Sequence, residues 1–229
     1  MNGTLGECFI VRTLHRADLE QLLTLQRNVL LDLQNVDLFV PLSTLEFECM
    51  LQDQGMVIGC YLEGELIAFH SFFYPKESAD NLGIDLDFDH KQLLQVAHLE
   101  ATCVHPRHRG LGLQTKLTTI LLNEMKTRGE YRYILQTVAP DNIASIKSTF
   151  KSGLSLVRYK HKYGGKKRFI FALDLVSPSV FDLSDRTTLK IDASMEQYET
   201  RFIQGYSGRE LEVIDGELHI QFIKKLSLR

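Results

Sequence analysis

His98 and Glu100 are the residues whose types and spacing best suit acid–base chemistry. They lie two positions apart in the run Leu94 to Val104, which is rich in strand-forming residues, so a strand would place both side chains and that of Thr102 on one face. An imidazole and a carboxylate that reach one cleft can accept a proton from a bound molecule. The structural alternative is that the two side chains only pair with each other or face solvent.

A glycine-bearing turn follows the same run, and its sequence from Cys103 to Gly112 is CVHPRHRGLG. A strand that enters such a turn and continues as a helix presents free backbone N–H groups at the positive end of the helix dipole. Gly110 and Gly112 would let the backbone approach a bulky phosphate, and Arg107 and Arg109 would add positive charge. The alternative is that the glycines only permit a tight turn and the arginines are solvated.

Hydrophobic periodicity and turn residues predict the elements that position these residues. The predicted order is β-α-α-β-β-β-α-β-α-β-β, with a loose acidic segment from Tyr74 to Gln92 before the strand that carries Glu100. Pro178 and a polar stretch mark a boundary, after which a hairpin is predicted around Asp215-Gly216. Strands are predicted at 8–12, 56–61, 66–73, 94–104, 131–138, 154–163 and 168–175, and helices at 16–33, 42–52, about 113–128 and about 142–152.

Composition excludes several classes of protein. The chain has 229 residues, 44% of them hydrophobic, which is enough to bury a full core in one domain with an appendage. The 26 basic residues nearly balance the 29 acidic ones, which disfavours nucleic acid as a partner. The four cysteines are scattered without a Cys-x-x-Cys pair, so neither a metal site nor a disulfide scaffold is expected. With no leader and no long apolar run, the sequence predicts a cytoplasmic protein that does not enter a membrane.

The turn and a later segment together resemble a known family. The pattern Val104-x-Pro106-x-x-Arg109-x-x-Gly112 resembles motif A of the GCN5-related N-acetyltransferases, the GNAT family. The segment from Pro140 through Asn142 to Gly153 resembles that family's motif B. The resemblance implies an α/β GNAT acyl-CoA N-acyltransferase fold over residues 1–175, with a mixed twisted sheet flanked by helices. Residues 176–229 would then form a C-terminal β-rich extension.

The resemblance also implies the cofactor and its contacts. Acetyl-CoA would be the cosubstrate, without a metal, and its pyrophosphate would lie against the motif A turn. The motif can be placed on the sequence in two registers. In the first, Arg107, Gly110 and Gly112 match every required position, but the strand-end valine and proline favour the second register, which starts at Arg109. That register places Gln114 where the family usually has a small residue. The expected cofactor-binding residues are Cys103, Val104, Arg109, Gly110, Leu111, Gly112, Leu113, Gln114 and Asn142.

The implied reaction is transfer of the acetyl group to a primary amine by direct attack in a ternary complex. The backbone N–H of Cys103 or Val104 would polarise the thioester carbonyl. Glu100 is the first candidate for the base that accepts the amine proton, and His98 is the second. The chain departs from the family at Thr149, where many members carry a tyrosine that protonates the leaving thiolate. Tyr159, water or unassisted departure of the thiolate are the alternatives.

Alternatives to this activity remain open on sequence alone. A protein of the same fold could sense acyl-CoA without turnover, and the basic hairpin between Lys160 and Arg168 could bind nucleic acid. The acceptor is either a small molecule or a peptide that bears an amine, and the sequence specifies neither it nor the acyl length. The variable loops expected to select the acceptor are 34–41, the acidic segment and the last hairpin of the GNAT region. The extension would cover the acceptor site or build a homodimer.

Overall fold

The computed structural model describes residues 2–4 and 9–226, which form strands β1–β11 and helices α1–α6. Cys8, the first residue of the first predicted strand, lies outside the described residues. The strands are β1 Asn2–Thr4, β2 Phe9–Thr13, β3 Gly55–Leu62, β4 Glu65–Phe73, β5 Val96–Val104, β6 Tyr133–Val138, β7 Ser155–Lys162, β8 Lys166–Asp174, β9 Phe181–Lys190, β10 Tyr206–Ile214 and β11 Glu217–Lys225. The helices are α1 Leu19–Asp32, α2 Thr44–Gln52, α3 His90–Leu93, α4 Leu113–Arg128, α5 Ile143–Lys151 and α6 Met195–Ile203.

The strands of the described residues join into one sheet of eleven strands. Their order is β1-β2-β3-β4-β5-β6-β8-β7-β10-β11-β9. Strands β5 and β6 are parallel, whereas the other paired strands are antiparallel. Because a parallel pair needs a crossover, helix α4 connects β5 to β6 across one face of the sheet. The predicted mixed sheet with flanking helices is confirmed.

Helices cover both faces of the sheet. On one face, α1 and α2 bury Leu22, Leu25 and Phe47 against Phe69 of β4. On the other face, α4 and α5 bury an apolar stripe together with strands β3 to β8; its helical members are Leu113, Leu117, Leu121, Met125 and Ile146. Two apolar layers therefore fix the sheet from both sides, as the amphipathic spacing of the helices predicts.

Local signals in the sequence account for most element ends. Ser43 accepts a hydrogen bond from the Glu46 N–H while Glu46 bonds back, which forms a capping box at the start of α2. Gly129 ends α4 in the left-handed conformation, with φ of 68°. Glu63 and Gly64 both have positive φ and connect β3 to β4, as two-residue hairpin turns require. The predicted β10–β11 hairpin also forms, around Asp215-Gly216.

The chain after residue 175 differs in part from the sequence prediction. The segment between Pro178 and the final hairpin contains strand β9 and helix α6, neither of which was predicted. Strand β10 joins the sheet beside β7, where Gly208 is opposite Leu156. Tyr198 of α6 is fully buried, and its ring centroid lies 5.1 Å from that of Phe169 and 5.2 Å from that of Tyr159. The extension thus contributes side chains to the same core as α4 and α5.

Candidate active site

Strands β5 and β6 separate at their carboxyl ends. Their ladder pairs residues 96–98 with 133–135, and within the described residues it ends at His98 and Leu135. Beyond that point β5 stays with β4 as far as Val104, and β6 stays with β8 as far as Val138. We call the space between the two strands the β5–β6 gap. It lies in the interior of the sheet and is lined by unpaired backbone edges, so an extended molecule can insert as an additional strand.

The backbone directions in β5 show which amides face this gap. The His105 N–H bonds to the carbonyl oxygen of Ile67 on β4 at 2.8 Å. Because N–H groups alternate along a strand, the Val104 N–H points away from β4 and into the gap, whereas that of Cys103 points to β4. The Cys103 side chain is fully buried between the sheet and the α1–α2 layer. Of the two donors expected from the sequence, the geometry favours Val104.

His98 and Glu100 lie together at the point where the gap opens. Glu100 Oε1 is 3.2 Å from His98 Nδ1, and the Glu100 side chain is 26% exposed. His98 is buried, and its Nε2 accepts a hydrogen bond from the Leu82 N–H at 3.0 Å. Glu100 is therefore the member of the pair that can reach a solvent-borne molecule, while both ring nitrogens of His98 are engaged.

Thr102 does not share their face. Phe72 is opposite Leu99 and His70 is opposite Thr102, so β5 contains one residue more than β4 in this interval. This β-bulge reverses the side-chain alternation beyond Glu100. Thr102 Oγ1 instead lies 2.7 Å from Nδ1 of His70, whose burial lowers its pKa to about 4. The predicted grouping holds for His98 and Glu100 and is wrong for Thr102.

The glycine turn forms a cradle at the end of the gap, made of residues 109–115. Gly110 and Gly112 have φ of 81° and 70°, and a Cβ added at either would meet no atom within 4 Å. Helix α4 starts directly after Gly112, and its first backbone hydrogen bond runs from the Lys116 N–H to the Gly112 carbonyl oxygen. In the part of the chain that is described, the amides of residues 110–115 have no acceptor. The cradle is therefore open and rich in donors, as an anion site requires.

Three side chains of the cradle have partners within the protein, and one of them is Thr115, whose Oγ1 lies 2.8 Å from Ser148 Oγ. Arg109 forms an ion pair with Asp32 at the end of α1, with an N–O distance of 2.5 Å, and both side chains are 45% exposed. Gln114 Nε2 donates to Ser145 Oγ at 3.2 Å and so links the first turns of α4 and α5. The exposed Arg109 pair can exchange for a stronger anion, whereas Gln114 points away from the amides of its own loop.

The motif B residues have structural partners. Asn142 caps α5 by accepting from the Ser145 N–H at 3.1 Å, and its Nδ2 donates to the Leu38 carbonyl oxygen at 3.3 Å. Thr149, at the position where the resemblance implies a tyrosine acid, is buried and donates to Gln136 Oε1 at 3.2 Å. Tyr159, an alternative acid, has a buried ring in the core. Neither side chain has an exposed acidic group at the gap.

Ion pairs join the β7–β8 hairpin to the acidic segment and to the loop that follows α1. Lys162 of the β7–β8 hairpin pairs with Asp85 of the acidic segment at 2.7 Å, and Lys166 pairs with Asp37 at 2.9 Å. Arg168 is buried and donates to the Asp37 carbonyl oxygen at 2.9 Å. The three loops expected to select the acceptor are thus joined to one another.

Thr137 and Tyr163 form a hydroxyl pair near the β5–β6 gap that sequence reasoning did not identify. Thr137 follows the last β5–β6 pair on β6, and its Oγ1 lies 3.1 Å from the Tyr163 hydroxyl. Tyr163 is at the hairpin tip with φ of 49°, a conformation unusual for a bulky side chain. The residue is 43% exposed, but desolvation of its hydroxyl and the charge of Glu100 raise its pKa to about 12, so the hydroxyl stays protonated at neutral pH. The sequence signal for Tyr163 is its position directly before Gly164-Gly165, which predicts a hairpin tip.

Two other expectations concern metals and membranes. Within the described ranges, no cluster of three or more His, Cys, Asp or Glu side chains has the geometry to hold a metal ion. Cys49, Cys60 and Cys103, the cysteines of those ranges, are free thiols. Across residues 2–4 and 9–226, no helix combines the length and apolarity needed to cross a membrane.

Solved structures match most of this chain. An N-acetyltransferase from Staphylococcus aureus Mu50 matches with a TM-score of 0.54 at 20% identity, over 74% of this chain and 99% of that one. The ribosomal-protein-S18-alanine N-acetyltransferase from Escherichia coli gives a TM-score of 0.56 at 18% identity, over 74% and 95%. Arabidopsis thaliana NAA60 in complex with acetyl-CoA gives 0.59 at 15% identity, over 74% and 99%. No curated protein sequence matches the chain.

A family model covers the elements that build the gap and the cradle. The model described as the Acetyltransferase (GNAT) family matches residues 24–149, more than half of the chain. The matched region runs from within α1 to α5 and includes β5, the cradle and β6. Together with the confirmed mixed sheet and its flanking helices, this match shows that the chain belongs to the GNAT acetyltransferase family.

Proposed function

We propose that the protein is an N-acetyltransferase that transfers the acetyl group of acetyl-CoA to a primary amine by direct attack in a ternary complex. The observation that carries this proposal is the β5–β6 gap, which has free amides at one end and Glu100 where it opens. A slot with this composition fits an extended thioester whose pyrophosphate is an anion. Acetyl-CoA supplies the activated acetyl group as that thioester.

The cradle residues fit the pyrophosphate. Open space around Gly110 and Gly112 lets the backbone approach phosphate oxygens, and the amides through Gln114 supply donors. Arg109 would exchange its exposed pair with Asp32 for a phosphate, since charge-assisted bonds to phosphate are the stronger ones. Leu111 and Leu113 contribute backbone, and the N–H of Val104 would polarise the thioester carbonyl. Cys103 and Asn142 would support β5 and the start of α5 beside the cofactor.

Glu100 is the proposed proton acceptor. The amine nitrogen of the acceptor forms a bond to the acetyl carbon, the carbon–sulfur bond breaks, and the amine proton passes to Glu100 directly or through one water. The thiol of coenzyme A then leaves as thiolate, whose ordinary pKa near 8.5 allows departure without an acid such as Thr149. His98, the second candidate, has both nitrogens engaged and supports Glu100 instead.

The acceptor is proposed to be an amine at a peptide terminus. Structural neighbours include enzymes named for acetylation of ribosomal protein S18 at alanine and of the N-terminal serine of ribosomal protein L7/L12. In this chain, Tyr163 and Thr137 provide an exposed, neutral hydroxyl pair within the electrostatic influence of Glu100, suited to hydrogen bonding a peptide backbone. Short peptides that begin with alanine or serine are therefore the first acceptor probes.

Calorimetric titration with acetyl-CoA and with coenzyme A tests the cofactor proposal first. We expect saturable micromolar binding of both, since both carry the pyrophosphate. Thiol release with alanine- and serine-initiated peptides then tests turnover, with Nα-blocked versions of the same peptides as controls. Glu100→Gln should lower the rate about 100-fold or more while the affinity for acetyl-CoA is unchanged. If neither acetyl-CoA nor coenzyme A binds in the titration, the proposed function is wrong.

A second candidate function is favoured by Thr149. Its burial and its bond to Gln136 leave the position of the implied acid without an acidic group, which suits a protein that senses acyl-CoA without turnover. Glu100→Gln separates the two candidates, because a sensor binds acetyl-CoA and releases no thiol with any amine probe in either form.

A further inference from the structure

The acidic segment between β4 and β5 contacts the proposed base through one buried histidine. We propose that the whole interval between these strands, residues 74–95, which contains the acidic segment 74–92, positions Glu100 through His98, which makes His98 a positioning residue and not a base. This inference rests on the proposed function and adds a positioning role to a segment that the sequence linked only to selection of the acceptor. Its basis is a chain of two hydrogen bonds that runs from Leu82 through His98 to Glu100.

The first hydrogen bond fixes the protonation of the imidazole. A backbone N–H can only donate, so Nε2 of His98, which lies 3.0 Å from the Leu82 nitrogen, must accept and carry no proton. In the neutral ring the proton is then on Nδ1, which lies 3.2 Å from Glu100 Oε1. Nδ1 therefore donates to the carboxylate, and the tautomer is set by a residue outside the gap.

The same hydrogen bond prevents His98 from acting as the base. Taking up a proton at Nε2 would break the bond from Leu82 and leave a buried N–H pointing at a donor. His98 is only 3% exposed, so water cannot replace the lost acceptor. Nδ1 already carries a proton and faces Glu100. The ring consequently fixes one oxygen of Glu100 and leaves the other free to receive a proton.

The segment is rigid enough to transmit this constraint. Asn81 is 1% exposed, and its Nδ2 donates to the carbonyl oxygens of Lys76 at 2.6 Å and Leu93 at 3.1 Å, which join the two ends of the segment. Its Oδ1 accepts from the Gly83 N–H at 2.9 Å. A Cβ at Gly83 would lie 2.8 Å from Leu93 and 2.9 Å from Phe88, so the turn is tightly packed. The Leu82 N–H is thus held at a fixed place beside β5.

Two amide substitutions distinguish positioning from packing. In His98→Asn the side-chain amide lies near the former Nδ1 and can still donate to Glu100. In His98→Gln it reaches the former Nε2 and can bond to Leu82 but not to Glu100. We expect His98→Gln to lower kcat about 100-fold because it loses the bond to Glu100, and His98→Asn to lower kcat about tenfold because it keeps that bond but loses its anchor at Leu82. A wild-type rate in His98→Asn would show that the segment does not position Glu100. Both should bind acetyl-CoA with wild-type affinity in calorimetry.

A spectroscopic readout tests the contact without turnover. In the free wild-type protein, ¹⁵N NMR should show His98 with a protonated Nδ1 and an unprotonated Nε2. A protonated Nε2, or equal loss of kcat in both variants at matched thermal stability, would overturn the proposal. Failure of the proposed function has a separate signature, since neither the wild type nor Glu100→Gln would then release thiol, whatever tautomer His98 adopts.

Discussion

Gly112 and Gly129 bracket helix α4 with nearly the same backbone geometry. Their φ values are 70° and 68°, and a Cβ at either position meets no atom within 4 Å. They differ only in surroundings, since Gly112 lies among the free amides of the cradle and Gly129 ends the helix at its far end. The pair therefore separates the energetic effect of the left-handed backbone from any effect on ligand binding.

We expect Gly112→Val and Gly129→Val to destabilise the protein to a similar extent, by about 1–2 kcal/mol each, because both place a Cβ in the left-handed region. Only Gly112→Val should weaken acetyl-CoA binding, by tenfold or more, because its side chain would fill the cradle. Thermal unfolding and calorimetry measure the two effects. Equal affinity in the two variants would contradict the cradle assignment.

The sequence predicts the site correctly where the local residues alone determine the backbone conformation. Glycines that precede a helix indicate positive φ and free amides, and the cradle from Arg109 to Gln114 has that geometry. The shared face of His98, Glu100 and Thr102 was only partly right, because it assumed an unbroken period of two. The bulge in β5 depends on how β4 pairs with it, and a single sequence does not specify that pairing.

The loops around the gap are held by a few partly buried ion pairs. Lys162 and Asp85 have side chains that are 21% and 19% exposed, so solvent screens their attraction less than it screens a fully exposed pair. The pair joins the segment whose Leu82 N–H bonds to His98 to the β7–β8 hairpin, which contains Tyr163. Its geometry suggests that the two loops move as one body.

Charge reversal tests this coupling. Asp85→Lys and Lys162→Asp should each destabilise the protein by about 1 kcal/mol through like-charge contact, and the double variant should recover most of that loss. Hydrogen exchange at residues 82–86 should accelerate in the single variants and return towards wild type in the double variant. Additive losses in the double variant would show that the two side chains are not coupled.

Predictability also differed among elements. Helices α1, α2, α4 and α5 carry apolar residues at helical spacing, and β3–β4 and β10–β11 carry glycine turns, so the sequence predicted them. Strand β9 was missed because Asp182, Ser184 and Asp185 are poor strand formers; its position is set by pairing with β11. Helix α6 did have a readable signal, the capping box formed by Ser194 and Gln197.

The extension completes the hydrophobic core of the GNAT region. Tyr198 packs between Tyr159 and Phe169 of the sheet, and Phe222 of β11 lies 5.8 Å from it, measured between ring centroids. The sequence predicts a GNAT domain at residues 1–175 and a separate extension at residues 176–229. We propose that the two parts form one cooperative folding unit, because neither buries these aromatic surfaces alone.

Tyr198→Ala should lower the free energy of unfolding by about 3–5 kcal/mol, since it leaves a cavity beneath α6. Tyr198→Phe is the control. It keeps the ring and loses only the hydroxyl bonds to the Lys190 and Ile191 carbonyl oxygens, which should cost about 1 kcal/mol. Denaturant unfolding followed by fluorescence should show one shifted transition for each variant. Two separate transitions would indicate independent units.

The place of Tyr198 in the core also has a consequence for biosynthesis. Tyr159 emerges from the ribosome roughly 40 residues before Tyr198, which corresponds to roughly 2–8 s at usual rates of translation. Phe169 follows Tyr159 within that interval, and from then until α6 emerges the two rings lack the helix that covers them. Closure of this part of the core therefore waits for α6, and until then the aromatic face formed by Tyr159 and Phe169 stays uncovered.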